Sequence, residues 1–417
     1  MLGLATDPAV ARAGQGVARP EIWSGAAASE HAVWGLCRGA ASQPYRTSVR
    51  LDGPSYDCTC PSRKLPCKHA LGLLLLWSAG AVPDGQEPSW MPAASQPRAP
   101  RRTTVADPVA AQARVARRTE RVASGVAELQ TWLDDRVRRG LGGFEQQGWS
   151  ELNRLASRMV DAQAPGLANA LRRAAATIGR GPDWPGRLLE DLAMIHLTAR
   201  AHDRLDELPA PLAETVRSRL GWTVETVRVQ ETGERVDDRW LVLGRVIEMD
   251  ERLTTRRLWL RGLTTGRTAL LLTFAPWGRN LDAAPGAPGE LVAGTAAFYP
   301  GAGNVRALLI PSTNQPAEEP VGVGVAEALG LYAEALAVDP WLERWPLVVK
   351  AVRPARNGDG WALVEEGGDA LEVSPYIDPW PLLALSAGEP VQVAGEWGRA
   401  GFLPMTCWHD GRAVALT

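Results

Sequence analysis

Lysine is nearly absent from this 417-residue chain: Lys64, Lys68 and Lys350 are the only three, and arginine carries the remaining cationic charge. With abundant alanine, glycine and proline, that bias reads as GC-rich coding and carries no functional weight. A dominant charge of one sign is also missing. The net charge of −2 excludes a histone-like, purely electrostatic grip on nucleic acid. Long apolar runs are missing too. The longest, Leu73 to Trp77, falls far short of the ~20 residues a membrane span needs. The segment MLGLATDPAVARAG has no apolar core ahead of a cleavage site, so no secretory leader is expected. Cysteine is scarce, with five in all. Three of them sit beside a histidine, which argues against a disulfide framework and for a metal in a reduced, cytoplasmic compartment.

The apolar fraction, 45%, is ordinary for globular protein and supplies several cores. At roughly 150 residues per domain the length predicts two to four domains. Charge is uneven along the chain. Residues 1–125 carry 15 basic and 9 acidic side chains, a balance of +6, which leaves −8 for the remainder. A basic front and an acidic rear suggest an N-terminal half that faces a partner.

The chemistry concentrates in YDCTCPSRKLPCKHALGL. Its pattern is Cys-x-Cys, six intervening residues, then Cys-x-His. Zinc takes four soft or borderline donors in a tetrahedron, and three thiolates with one imidazole form a common structural set. Cys58 and Cys60 can face one ion if the chain turns at Pro61. Cys67 and His69 belong to the first turn of a helix whose start Pro66 sets. All four positions are filled by protein, so no site is left for a catalytic water. The reading is therefore one structural Zn²⁺, with no catalytic residue anywhere in the chain and no enzymatic activity expected. Arg63, Lys64 and Lys68 lie inside the same loop. They could contact phosphates or a protein partner, or simply offset the negative charge of three thiolates on one Zn²⁺.

On Cys58, Cys60, Cys67 and His69, and on the wording CPSRKLPCKHALGLLLLW, the chain resembles the SWIM zinc-finger family in its bacterial form. The resemblance covers roughly residues 30–80 and implies a packing of two strands and a helix. It also implies binding to DNA or protein. In bacteria it implies company with Swi/Snf-type helicases, or with MoxR-type AAA ATPases and von Willebrand A proteins. The chain has no G-x-x-x-x-G-K-[ST] loop, so it is not itself a motor.

Around this motif, AVWGLCRG (32–39) and YRTSVRL (45–51) read as two strands, and HALGLLLLW as a buried helix that Gly80 stops. Five prolines between 80 and 106 predict a linker. Asp107-Pro108 opens a helix. Val122, Val126, Leu129, Leu133, Val137 and Leu141 keep helical spacing along it, and further helices follow to about Leu220. The period then shortens to that of strands. Two β-rich blocks each show three strands, a crossover containing Pro and Trp, a strand led by Gly-Glu, and a final strand. Gly289-Glu290 corresponds to Gly388-Glu389. Such five-stranded units suit OB-like or SH3-like barrels.

Elsewhere, His196 and His202 are six residues apart and share no helix face, so they make a poor metal pair. Cys37 and Cys407 read as small strand residues in cores. Trp277, Trp380 and Trp397 could stack bases only if the barrels bind single strands.

The reading is an α+β, multidomain protein: a small zinc-bound ββα SWIM module, an α-helical middle domain and two small β-barrel-like domains. The expected boundaries are 1–80 for the zinc module, 81–106 for the Pro/Ala/Arg-rich linker and 107–220 for the helices. They continue as 221–315 for the first β-rich domain, 316–345 for a helical insert and 346–417 for the second β-rich domain. The modest basic excess favours a protein partner, making the chain a zinc-binding interaction adapter. The alternative is DNA or RNA binding through the basic zinc loop. No membrane and no small-molecule substrate is expected.

Overall fold

The computed structural model describes all residues except 1–7, 39–43, 52–54, 61, 63–65, 89, 92–107, 250–252, 277–280, 282 and 316–317. It divides into two compact units. One is Met1–Ala106 with Pro276–Asn280; the other is Asp107–Ala275 with Leu281–Thr417.

The first unit opens with helix α1 (Pro8–Val17). An antiparallel four-stranded sheet follows, in the order β1 (Trp23–Ala28), β2 (Ala32–Cys37), β3 (Tyr45–Arg50) and β4 (Ser55–Cys58). Helix α2 (Lys68–Ser78) ends the run. The expected pair of strands is thus the centre of a larger sheet. Strand β1, WSGAAA, is nearly all small residues and lacks the apolar alternation that marks a strand in sequence. Strand β4 is only four residues long and ends on the first zinc-ligand cysteine. Helix α2 buries Ala70, Leu71, Leu73, Leu74 and Leu76. All of these but Leu71 pack with Trp23, Val33, Cys37 and Val49 of the sheet. The beginning of the expected linker also belongs to this fold. Pro83 accepts from the Ala28 N–H at 2.8 Å and the Gly85 N–H donates back to Ala28 at 2.9 Å. Glu87 pairs with Arg50 at 2.8 Å, and Met91 is buried with Ala32 and Trp34. Proline prevents a ladder here without preventing burial. Residues 92–106 lie outside the described part.

The second unit begins with five helices: α3 (Pro108–Arg139), α4 (Phe144–Asp161), α5 (Pro165–Thr177), α6 (Trp184–Asp203) and α7 (Ala210–Leu220). Their shared core takes Val122, Val126, Leu129 and Leu133 from α3, at the spacing read from sequence. Val137, expected on the same stripe, is 80% exposed. In that turn Arg136 takes the side facing α4 instead, its guanidinium over the Phe144 ring at 4.7 Å and bonded to Glu151 at 2.6 Å, and Arg136, Arg138 and Arg139 suit the helix C-terminal dipole.

A short helix α8 (Thr226–Thr232) leads into strands β5 (Glu234–Met249), β6 (Leu253–Gly262), β7 (Thr268–Pro276), β8 (Leu291–Phe298) and β9 (Ala307–Gln315). Helix α9 (Val325–Val338) precedes β10 (Arg344–Asn357), β11 (Gly360–Glu365) and β12 (Ala370–Glu372). Then come helix α10 (Trp380–Ser386) and strands β13 (Val391–Gly398), β14 (Gly401–His409) and β15 (Arg412–Ala415). The sheet orders are β7-β6-β5-β8-β9 and β12-β11-β10-β13-β14-β15. Both therefore place the third, second, first, fourth and fifth strands side by side, as the strand pattern suggested.

The two sheets repeat each other in detail. Gly289 and Gly388 both have positive φ, +86° and +87°. The following glutamate N–H in each donates to the carbonyl three residues back, at 3.0 Å for Glu290 and 2.7 Å for Glu389. A bulge then falls at Ala293/Gly294 opposite Pro311 and Thr313, and at Ala394/Gly395 opposite Pro404 and Thr406. Proline supplies no ladder N–H, so it settles at a bulge. The backbone closes on the glycine there: a Cβ would lie 2.5 Å from the Ile310 carbonyl at Gly294, and 2.5 Å from the Leu403 carbonyl at Gly395. Neither sheet is a closed barrel among the described residues, contrary to the expected barrels. Third and fifth strands meet only at single parallel bridges, Leu270 with Arg306 and Val373 with Phe402. In the second sheet β12 is three residues long, too short for a closing ladder.

The sheets are braced against each other. Leu241, Leu243 and Trp259 of the first share a core with Val348, Ala394, Met405 and Trp408 of the second. Within it Arg257 grips Glu396 bidentately at 2.8 and 3.0 Å, and the Trp259 indole donates to the same carboxylate at 2.6 Å. Side-chain exposure is 7% for Arg257 and 3% for Glu396. Removing one partner of such a pair strands the other charge. Glu396→Ala should therefore cost about 3–5 kcal/mol, and Gly395→Ala about 1–3 kcal/mol from the forced overlap. Urea unfolding followed by tryptophan fluorescence checks both; wild-type stability in either variant would contradict this packing.

Candidate metal centre

Two elements bring the cluster together. Cys58 is the last residue of β4, where it pairs with Thr47 of β3. Cys67 is the N-cap of α2 and His69 its second residue. Cys60 lies in the loop between. The Cys67 sulfur accepts from the Ala70 N–H at 3.5 Å and its carbonyl accepts from the Leu71 N–H at 3.0 Å. A sulfur at an N-cap satisfies a free helix N–H and meets the positive end of the helix dipole, which favours thiolate. Thr59 fixes the loop by two 3.0 Å bonds to Arg46, its amide donating to the Arg46 carbonyl and its hydroxyl accepting from the Arg46 N–H.

The ligand atoms of Cys58, Cys60, Cys67 and His69 all lie within 4.8 Å of one another. Donors at 2.0–2.3 Å from a tetrahedral zinc stand about 3.3–3.8 Å apart, so the set fits one ion after a small contraction. The donor chemistry agrees: Cys3His is a zinc set, and all four positions come from protein. Residues 58, 60, 67 and 69 can thus hold one zinc ion at a closed, structural site.

The surroundings favour negative sulfur. The Cys67 thiol hydrogen-bonds to the Cys58 sulfur, and His69 Nδ1 and the Thr47 hydroxyl lie at 3.7 and 3.2 Å. Together they pull Cys58 down to about 3 against the cost of burial. The proton that Cys67 shares with Cys58 holds Cys67 far up, and burial adds to it. Burial also raises Cys60. Without metal, the cluster therefore carries one thiolate and two thiols. Two of its contributors have no signature in sequence: Thr47, fully buried on β3, and Tyr45, whose ring stacks on His69 with centroids 4.9 Å apart. Period-two alternation placed both on a strand, but nothing in the spelling tied them to the cysteines.

Of the basic loop residues, Lys68 is exposed at the first position of α2. Arg63 and Lys64 lie outside the described residues. Cys37 is buried in the module's core, its thiol pushed up to about 11, mainly by burial. Cys407 is buried in the second sheet's core. His196 and His202 form no cluster with other ligand types among the described residues. Trp380 is 69% exposed, and Trp277 lies outside the described residues. Among those residues no helix is long and apolar enough to cross a membrane.

Fold and site thus define a protein with a Cys3His zinc module, followed in sequence by a helical bundle. Residues 45–77 match the SWIM zinc finger, and residues 117–220 match the SWIM-associated four-helix bundle domain. The likeness to SWIM proteins thus extends over both segments. No curated protein and no solved structure matches it.

Metal analysis of the purified chain should give one zinc per molecule. Loading must expel the protons of Cys60 and Cys67, so acid competes with the ion. Between about pH 7 and 8.5 apparent affinity should fall by about 100-fold per unit of acidification, two protons being displaced. A chelator competition that shows no pH dependence would contradict the protonation pattern. Cys67→Ala should lose the metal and unfold the β1–α2 module, since so small a core leans on its ion. The unfolding transition of Asp107–Thr417 should remain.

Proposed function

We propose that this chain is a non-enzymatic adapter whose zinc ion shapes a protein-binding module. The carrying observation is the donor set: Cys58, Cys60, Cys67 and His69 bring four protein donors together, enough to complete a tetrahedral zinc, so the ion would supply shape and offer no vacant position for a substrate. Behind it, the sheets joined by Arg257 and Glu396 make a stiff frame suited to presenting surfaces. The match of residues 45–77 to the SWIM zinc finger supports interaction as the module's role. The partner class in best accord with the bacterial form is an assembly of a MoxR-type AAA ATPase with a von Willebrand A protein. The chain's expected compartment is the cytoplasm. The two β-rich domains are proposed as open relatives of OB-like or SH3-like units, on their common strand order.

The second reading is nucleic-acid binding, favoured by exposed Lys68 beside the ligand Cys67. One comparison separates the two. Tagged full-length chain and its Cys67→Ala variant are used for capture from lysate, with and without nuclease. Labelled duplex DNA, single-stranded DNA and RNA are titrated in parallel at about 150 mM salt. The adapter reading expects nuclease-resistant, zinc-dependent capture and no measurable nucleic-acid complex. A tight, salt-sensitive complex that weakens in the Arg63→Ala, Lys64→Ala, Lys68→Ala triple variant would replace it with the second reading.

A further inference from the structure

A cavity of about 320 Å³ opens in the second unit, between the C-terminal half of α9, the loop joining β8 to β9, and the end of β6. Its volume lies at the lower end of small-ligand sites. Leu331, Ala335, Val338 and Leu342 make it largely apolar. Arg261 breaks that pattern. One arm of its guanidinium donates to the Gly266 carbonyl at 3.3 Å. Its Nε is shut off from solvent and has no hydrogen-bond partner among the described residues. No carboxylate among them forms an ion pair with it, and burial alone pushes its pKa down, with nothing opposing. Trp345 lines the same cavity, and its indole N–H is likewise buried without an acceptor.

A partly buried cation without a counter-charge is costly, and arginine in particular suits planar, bidentate acceptors. The two acids on the wall restrict what can enter. Glu334 is exposed, and Asp339 accepts the Trp341 N–H at 3.0 Å, its carboxyl pushed up by burial. Their proximity disfavours a dianion such as phosphate. The apolar remainder asks for a hydrocarbon body.

We propose that this cavity binds a small monocarboxylate with an apolar body, its carboxylate on Arg261 and its body against α9. The inference is independent of the adapter reading and of the zinc module.

The test uses the full chain with benzoate and hexanoate as probes. Benzamide, hexanamide and inorganic phosphate serve as controls. Binding is read from the Trp345 indole resonance, assigned by Trp345→Phe, and from thermal melting. A carboxylate probe is expected to shift that resonance saturably while the amides and phosphate leave it in place. Arg261→Met should weaken binding about tenfold or more, the loss of a charge-assisted hydrogen bond. The same variant, without any probe, should melt above wild type, since it removes an uncompensated charge. Trp345→Phe should still bind the carboxylates, read by melting. The proposal is overturned if no carboxylate moves the resonance, or if amides or phosphate bind as well. It is equally overturned if Arg261→Met keeps full affinity, or if it melts below wild type, which would mean that a protein carboxylate already serves the guanidinium.

Discussion

Four donors must meet at one point, and three of them are acids that repel one another once ionised. This constraint shapes the whole N-terminal unit. Strand β4 delivers Cys58 at its last residue and α2 delivers Cys67 and His69 at its first turn. The segment between them needs no regular structure, because its task is only to return the chain. The electrostatic problem is divided as well. Thr47, His69 and the Cys67 thiol hold one sulfur negative, while the other two sulfurs keep their protons until a cation arrives. The ion thus replaces protons that the buried cluster would otherwise retain, which couples metal to fold. A sheet with one short edge and one edge of small residues has little else to set its geometry.

The legible parts were those whose cause is local in sequence. The four zinc ligands span twelve positions, so spacing alone exposed them. Helices α3 to α7 announced themselves by period, and the Gly-Glu turns marked matching places in both sheets. What escaped had non-local causes. Strand β1 is defined by what pairs with it, since WSGAAA carries no alternation. Val137 kept the stripe's spacing but is exposed, because Arg136 of the same turn takes the side that meets Phe144 and Glu151. Residues 81–91 looked like linker because proline forbids ladders, yet Pro83, Gly85 and Met91 pack on the sheet. Barrel closure could not be read from strand count: β7 is nine residues long and β12 three, yet among the described residues each meets its fifth strand only at a single bridge.

The matched bulges explain why both sheets bend at the same place. A proline on the fifth strand cannot donate, so the ladder slips by one residue, and the facing glycine lets the backbones approach. The slip occurs at Gly294 opposite Pro311 and again at Gly395 opposite Pro404. In the second sheet the next residue is Glu396, the acid that receives Arg257. The bulge therefore lies beside the bridge that joins the sheets, so a distortion there reaches both the ladder and the ion pair.

Strand β6 sets two arginines on one face, since Arg257, Trp259 and Arg261 alternate with the core residues Leu258 and Leu260. Burial works against the charge of both. At Arg257 the carboxylates of Glu396 and Glu248 outweigh it, and the guanidinium is held firmly protonated. At Arg261, four residues along, no carboxylate among the described residues forms an ion pair, and burial alone acts on the charge. Packing cannot account for the difference, because a leucine or methionine would fill the same apolar surroundings without a desolvation cost. A charge that stabilises nothing inside its own fold is more economically explained by something that comes from outside it. On that argument the two ends of β6 divide the work: one end fastens the sheets together, and the other holds a cation ready at the mouth of a cavity.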